Sequence, residues 1–226
     1  MARKSIFFIL FLTGMIIING CEAKKQTAEK KENNYPGIVA QGIALEPVSK
    51  AEVEQRLDIY APFELTADVG HLTDKQKQLL VKLFDVADIM NELFWKQAIG
   101  DRESFLQRIT DIPTKEFAKI NYGPWDRLNN NKPFIKEVGT KPKGANFYPT
   151  DMTIEEFEAF DNPNKTSLYT LIRRDENGSL KTVWYHEAYK SHLQKAASLM
   201  KEAAALAEDP YFKNYLENEG RCTPYR

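Results

Sequence analysis

The chain has 226 residues, 42% of them hydrophobic and 28% charged, with a formal net charge of −1. That composition is ordinary for a globular protein, and the near-neutral charge excludes a global attraction to nucleic acid. The two cysteines, Cys21 and Cys222, lie at opposite ends, one of them inside a targeting signal, which argues against a disulfide framework.

Arg3 and Lys4 precede an almost wholly apolar run from Ser5 to Ile18, and Asn19-Gly20-Cys21 follows. About fourteen apolar residues are too few to span a bilayer stably and suit a signal-peptide core. Gly20 before Cys21 resembles a bacterial lipobox, with Ile18 where leucine is commoner. The reading is a signal peptide over 1–20, lipidation of Cys21, and an exported protein held in the cell envelope by its membrane anchor. Removing residues 1–20 takes two positive charges from the total of −1, leaving −3. Glu22 to Asn34 is charged and carries no large apolar side chain, so 21–34 is expected to be a flexible tether.

A folded region is expected over 35–217. Pro36-Gly37 and Pro47 punctuate a short apolar run, and Ser49 is a plausible N-cap for a helix to Leu57. Asp58 to Gly70 contains Pro62 and no clear period, so it reads as coil. Thr73 and Gln76 form a capping box opening a long helix from Asp74 to Ile99. Its apolar residues, among them Leu79, Leu83, Phe84, Met90, Leu93 and Phe94, recur at three and four spacing, which predicts a centrally packed helix closed by Gly100. Asp85, Asp88 and Glu92 read as a solvated acidic face rather than a metal site. Two shorter helices, Arg102 to Thr110 and Thr114 to Ile120, flank Pro113.

The stretch Asn121 to Met152 has no helical period and no strand alternation. Gly123-Pro124, Pro142, Gly144 and Pro149 punctuate it, and it holds Tyr122, Trp125, Phe134, Phe147 and Tyr148. A long segment of this kind in a compact domain is functional or disordered. Disordered segments are poor in aromatics, so an ordered surface loop pinned by its aromatics is expected.

Thr153 and Glu156 make a second capping box before the short acidic helix IEEFEAF. Leu168 to Arg174 and Leu180 to Tyr185 read as a hairpin turning at Asn177-Gly178. Glu187 to Glu208 is helical again, Asp209-Pro210 breaks it, and Tyr211 to Glu217 restarts a short helix. Residues 218–226 show no apolar period. The fold class is mostly α (α+β): a helical lobe with one β-hairpin and a long ordered aromatic loop.

Chemistry-bearing motifs are few. The histidines are His71, His186 and His192. His186-Glu187 opens like a zincin motif, but the next histidine falls at i+6, where a helix needs i+4 to put two imidazoles on one metal. No metal ligands and no catalytic residues are assigned. There is no Gly-x-Ser-x-Gly elbow, P-loop or Cys-x-x-Cys, and Cys222 is not proposed as a nucleophile. Lys141, Lys143, Arg173 and Arg174 are basic groups near aromatics that can meet a carboxylate, although surface charge is the commoner explanation.

Several blocks in order carry a family resemblance: DIYAPFELTADV, HLTDKQK, INYGPWDRLNNNKPFI, KPKGANFYPTDMT, SLYTLIRRDENGSL and the alanine-rich helix before Tyr215-Leu216. From about Asp58 to Glu217 the chain resembles the N-terminal part of bacterial zinc-dependent hydrolases of the dipeptidyl-peptidase III metallopeptidase family. The resemblance implies one lobe of a two-lobed, mostly helical fold around a wide cleft. It also implies a zinc helix with a His-Glu motif well downstream of residue 217, so zinc is expected in the full-length family and no cofactor in this chain. In that setting Asn121, Tyr122, Trp125, Asp126, Asn146, Phe147 and Tyr148 would line the cleft wall and hold an extended peptide. The resemblance further implies a missing C-terminal lobe and an aberrant tail at 218–226, as a frameshift would leave. Two functions follow as expectations: a substrate-cleft lobe without activity of its own, or a non-enzymatic surface lipoprotein that binds a ligand or partner.

Overall fold

The computed structural model describes residues 44–222 together with Val39 and Gly42. The expected signal peptide, Cys21, the tether and residues 223–226 lie outside the described residues. Helix α1 (Lys50–Leu57) starts where Ser49 Oγ accepts the Glu52 N–H at 3.2 Å, because an N-cap hydroxyl satisfies a donor that the first turn leaves over. Helix α2 (Asp74–Ala98) opens on the expected reciprocal box: Thr73 Oγ1 accepts from Gln76 N–H and Gln76 Oε1 accepts from Thr73 N–H. It closes at Gly100, whose φ of 106° is costly for any residue with a Cβ.

The apolar stripe of α2 is only half used. Leu79, Ile89, Leu93 and Trp95 are buried, but Phe84, Met90 and Phe94, expected in the core, are exposed. The two ends of α2 join different cores. The C-terminal end of α2 joins a core with Val53, Phe105, Ile109, Phe117, Trp125, Phe134 and Ile135. The N-terminal end packs Leu79 against Ala203, Ala204 and Leu216.

Helices α3 (Arg102–Gln107) and α4 (Ile112–Asn121) are capped by Asp101 and Asp111. Pro113 was expected to separate two helices and instead lies in the first turn of α4, where its missing N–H costs nothing. Inside the expected loop a second small sheet appears: β1 (Trp125–Asp126) pairs antiparallel with β2 (Lys132–Pro133). Two residues per strand leave no alternation to read. The rest of the loop contains a 3₁₀ turn at Ala145–Phe147.

Helix α5 (Ile154–Ala159) is capped by Thr153, but Glu156 does not reciprocate; its carboxylate pairs with Arg174 instead. The hairpin of β3 (Thr170–Arg174) and β4 (Leu180–Trp184) runs in register from Thr170↔Trp184 to Arg174↔Leu180. Asp175 Oδ1 accepts the Asn177 and Ser179 N–H groups at its turn, and Gly178 takes φ 81°.

The last expected long helix is divided. A short α6 (Tyr185–Ala188) yields at Tyr189 to α7 (Lys190–Leu206). Helix α8 (Pro210–Cys222) runs past the expected end at Glu217. Leu216 and Gly220, one turn apart, are both buried against α7. A Cβ on Gly220 would meet the Ala197 carbonyl and Met200 Cβ at 3.3 Å, so the small residue lets the helices approach. That use of glycine hid the continuation from a reading based on apolar period. The result is mostly α with two small antiparallel sheets. Among the described residues no helix is long and apolar enough to cross a membrane.

Candidate functional site

The Asn121–Met152 loop is ordered by side chains that spend their polar groups on the loop and on the helices beside it. Asn121 is 3% exposed. Its Nδ2 donates to the Phe117 carbonyl at 3.0 Å and its Oδ1 accepts the Arg127 N–H at 2.9 Å. Trp125 is 2% exposed, with Nε1 donating to the Gly139 carbonyl at 3.0 Å. Asp126, equally buried, accepts Arg56 Nε at 2.7 Å on one oxygen and the Leu128 N–H at 3.0 Å on the other. Burial of such groups is tolerated because each has its partner.

The second half of the loop is fastened in the same way. Asn146 Nδ2 donates to the Lys96 carbonyl at 2.8 Å, near the C-terminal end of α2, where helix carbonyls lack intrahelical partners. The carbonyls of Asn146 and Phe147 accept Arg173 Nη2 at 2.7 Å and Nη1 at 3.1 Å. Arg173 was a candidate for meeting a carboxylate, and its role here is to clamp the loop onto β3. Arg174 instead pairs with Asp151 and Glu156, which raises its pKa and lowers that of Glu156, in both cases chiefly through their hydrogen bonds. Hydrophobic periodicity carries no sign of these clamps.

The candidate residues separate onto different surfaces. Tyr122, Trp125 and Phe147 line one cleft of about 480 Å³, together with Phe94, Arg127 and Lys141. Tyr122 holds a left-handed backbone at φ 53° at the end of α4, and its hydroxyl donates to Asn91 Oδ1 at 2.9 Å. Its ring meets Phe94 edge-on at 4.7 Å, and the Arg127 guanidinium lies 5.1 Å from its centroid. Tyr148 lies elsewhere, in a wider cleft of about 980 Å³ with Lys143, Met152, Ile154 and Phe157. Its ring packs over Gly144, where a Cβ would fall 2.0 Å from Tyr148 Cδ2. Asn121, Asp126 and Asn146 line neither cleft. Lys141 is one of the four basic groups that the sequence marks as able to meet a carboxylate, whereas nothing in the sequence separates Phe94 from its buried neighbours or marks Arg127 as lining a cleft.

A zinc ion takes three or four nitrogen, sulfur or oxygen ligands. Among the described residues no three His, Cys, Asp or Glu side chains gather within reach of one ion. His186 stacks on Trp184 with its Nδ1 buried and unpartnered, and the His192 ring faces Ser191 Oγ at 3.3 Å. This donor set does not fit a zinc centre, and no hydrolytic step is assigned to it.

No family model matches the chain. Nudix hydrolase 3 from Arabidopsis thaliana is 22% identical over 232 aligned residues, covering 75% of this chain and 30% of that protein. Among solved structures, DPP III from Caldithrix abyssi superposes with a TM-score of 0.70 at 36% identity, over 76% of this chain and 34% of that one. Dipeptidyl-peptidase III from Corallococcus sp. strain EGB gives 0.68 at 31% identity, over 78% and 35%. The chain thus spans about a third of the length of each relative. Over most of its own length it is similar in fold and sequence to a part of dipeptidyl-peptidase III.

Proposed function

We propose that the chain is the N-terminal, substrate-cleft lobe of a dipeptidyl-peptidase III-like zinc hydrolase, and that its role is to hold peptide rather than to cleave it. The observation that carries this is the cleft of Phe94, Tyr122, Arg127, Lys141 and Phe147, built on a loop that the hydrogen bonds of Asn121, Trp125 and Asn146 hold in place. A wall of that kind needs little reordering to bind. The likeness to dipeptidyl-peptidase III supports peptide as the ligand class.

Isothermal titration of the full chain with a neutral tetrapeptide tests this. Binding that weakens in Phe94→Ala, at a residue that is 45% exposed and outside the buried core, is the expected result. Absence of binding with the fold intact would overturn it. On the same reading, adding zinc to the purified chain gives no peptide hydrolysis, because zinc chemistry needs ligands that the described residues do not bring together. We also propose that Cys21 is diacylated and tethers the lobe to the cell-envelope membrane. Membrane fractionation of cells expressing Cys21→Ser, which should release the protein, decides that point. The alternative, a non-enzymatic surface lipoprotein that binds a ligand or partner, would be favoured by tight binding of a non-peptide ligand in the same cleft.

A further inference from the structure

We propose that the Phe94–Tyr122–Phe147 cleft recognises a carboxylate of its peptide, held between Arg127 and Lys141. This rests on the peptide-cleft reading above and deepens it. Among the described residues Arg56, Arg102 and Arg174 each have an acidic partner within ion-pair distance, and Arg127 has none. Its guanidinium lies instead over two ring faces, 5.1 Å from the Tyr122 centroid and 5.6 Å from that of Phe94. Contact with a ring face leaves the in-plane N–H donors of arginine unspent.

Lys141 stands at the same cleft. Its ammonium makes one hydrogen bond, to Asn131 Oδ1 at 3.2 Å, out of three donors. Burial first, and then the charge of Arg127, hold its pKa below the ordinary lysine value. A bound anion relieves the like-charge repulsion and gives both cations the partner the protein does not supply. An arginine fork and a lysine point charge around one carboxylate are a common recognition pair. Phe94 and Phe147 then cover the apolar part of the residue that bears it.

The carboxylate has two sources in a peptide, an acidic side chain or the free C-terminus. The test is calorimetry of the full chain with four N-acetylated tetrapeptides. They combine a glutamate or a glutamine with a free or an amidated C-terminus. One source is expected to raise affinity at least tenfold over the neutral peptide, about the effect of one charge-assisted hydrogen bond. Which peptide gains tells which carboxylate is read. The gain should shrink in high salt, disappear in Arg127→Gln and in Lys141→Met, and survive in part in Arg127→Lys. Arg127 is exposed, so its variants should keep the parent's melting temperature. If all four peptides bind equally, or the gain persists in both folded variants, the carboxylate proposal is overturned while the cleft reading stands. If none of the four binds, both fall.

Discussion

Replacing Arg173 by methionine should loosen the cleft wall without removing any residue that lines it. Arg173 is 7% exposed, and its guanidinium donates to the Asn146 and Phe147 carbonyls across the loop and to the Ile172 carbonyl beside it. Methionine keeps much of the unbranched stem and takes away the donors. Two loop carbonyls then lose their charged partner in a poorly hydrated place, at about 1–3 kcal/mol each. Removing a buried charge returns part of its desolvation cost, so the net loss is set at about 2–4 kcal/mol. For a domain of this size that lowers the melting temperature by about 4–16 °C, taking 2–4 °C per kcal/mol. Urea unfolding gives the free energy, and hydrogen exchange gives the place: amides at 145–148 should exchange faster, while those of α7 and α8 are unchanged. A variant within 0.5 kcal/mol of the parent by urea unfolding, with unchanged exchange at 145–148, would refute the clamp.

Trp125→Ala should cost about 3–5 kcal/mol, because it empties a core position and orphans the Gly139 carbonyl; a urea midpoint close to the parent's would show that the loop is not pinned there. Gly178→Ala has open space around the new methyl but keeps φ at 81°, so strain alone should cost about 1 kcal/mol, again read by urea unfolding. Asp111 caps α4, and the Thr114 hydroxyl, then Lys50, hold its carboxyl down from 3.8 to about 2. A depressed folded pKa gives stability that is complete above the unfolded value and is lost as pH falls through the folded one. The acid limb of the stability curve between about pH 4 and pH 2 should therefore be shallower in Asp111→Asn than in the parent, as denaturant midpoints measured along that range will show.

Much of the helical frame was legible because its signals are local. Thr73, Ser49 and Thr153 each cap the helix that their sequence context announces, and Gly100 ends α2 by its positive φ. The Asn177-Gly178 turn closes the expected hairpin. What was not legible depends on contacts between distant segments. Nothing near Arg173 in sequence says that it reaches carbonyls 26 and 27 positions away. Phe84, Met90 and Phe94 share the spacing of buried neighbours but lie at the surface, while the two ends of α2 join different cores. Gly220 lies in a tail with no apolar period and acts as a close-packing contact.

The candidate site shows the same boundary. Aromatic content correctly marked Asn121–Met152 as ordered, yet an aromatic that pins a loop and one that meets a ligand look alike in sequence. Trp125 is mostly committed to the interior, Tyr122 and Phe147 face a cleft, and Tyr148 faces a different one.

Hydrogen exchange of the full chain with and without a saturating tetrapeptide bears most directly on the claim that this surface is a peptide wall. Protection confined to 94–98, 122–127 and 141–147 is the predicted result. Protection elsewhere, or none at a peptide concentration where calorimetry reports saturation, would contradict it.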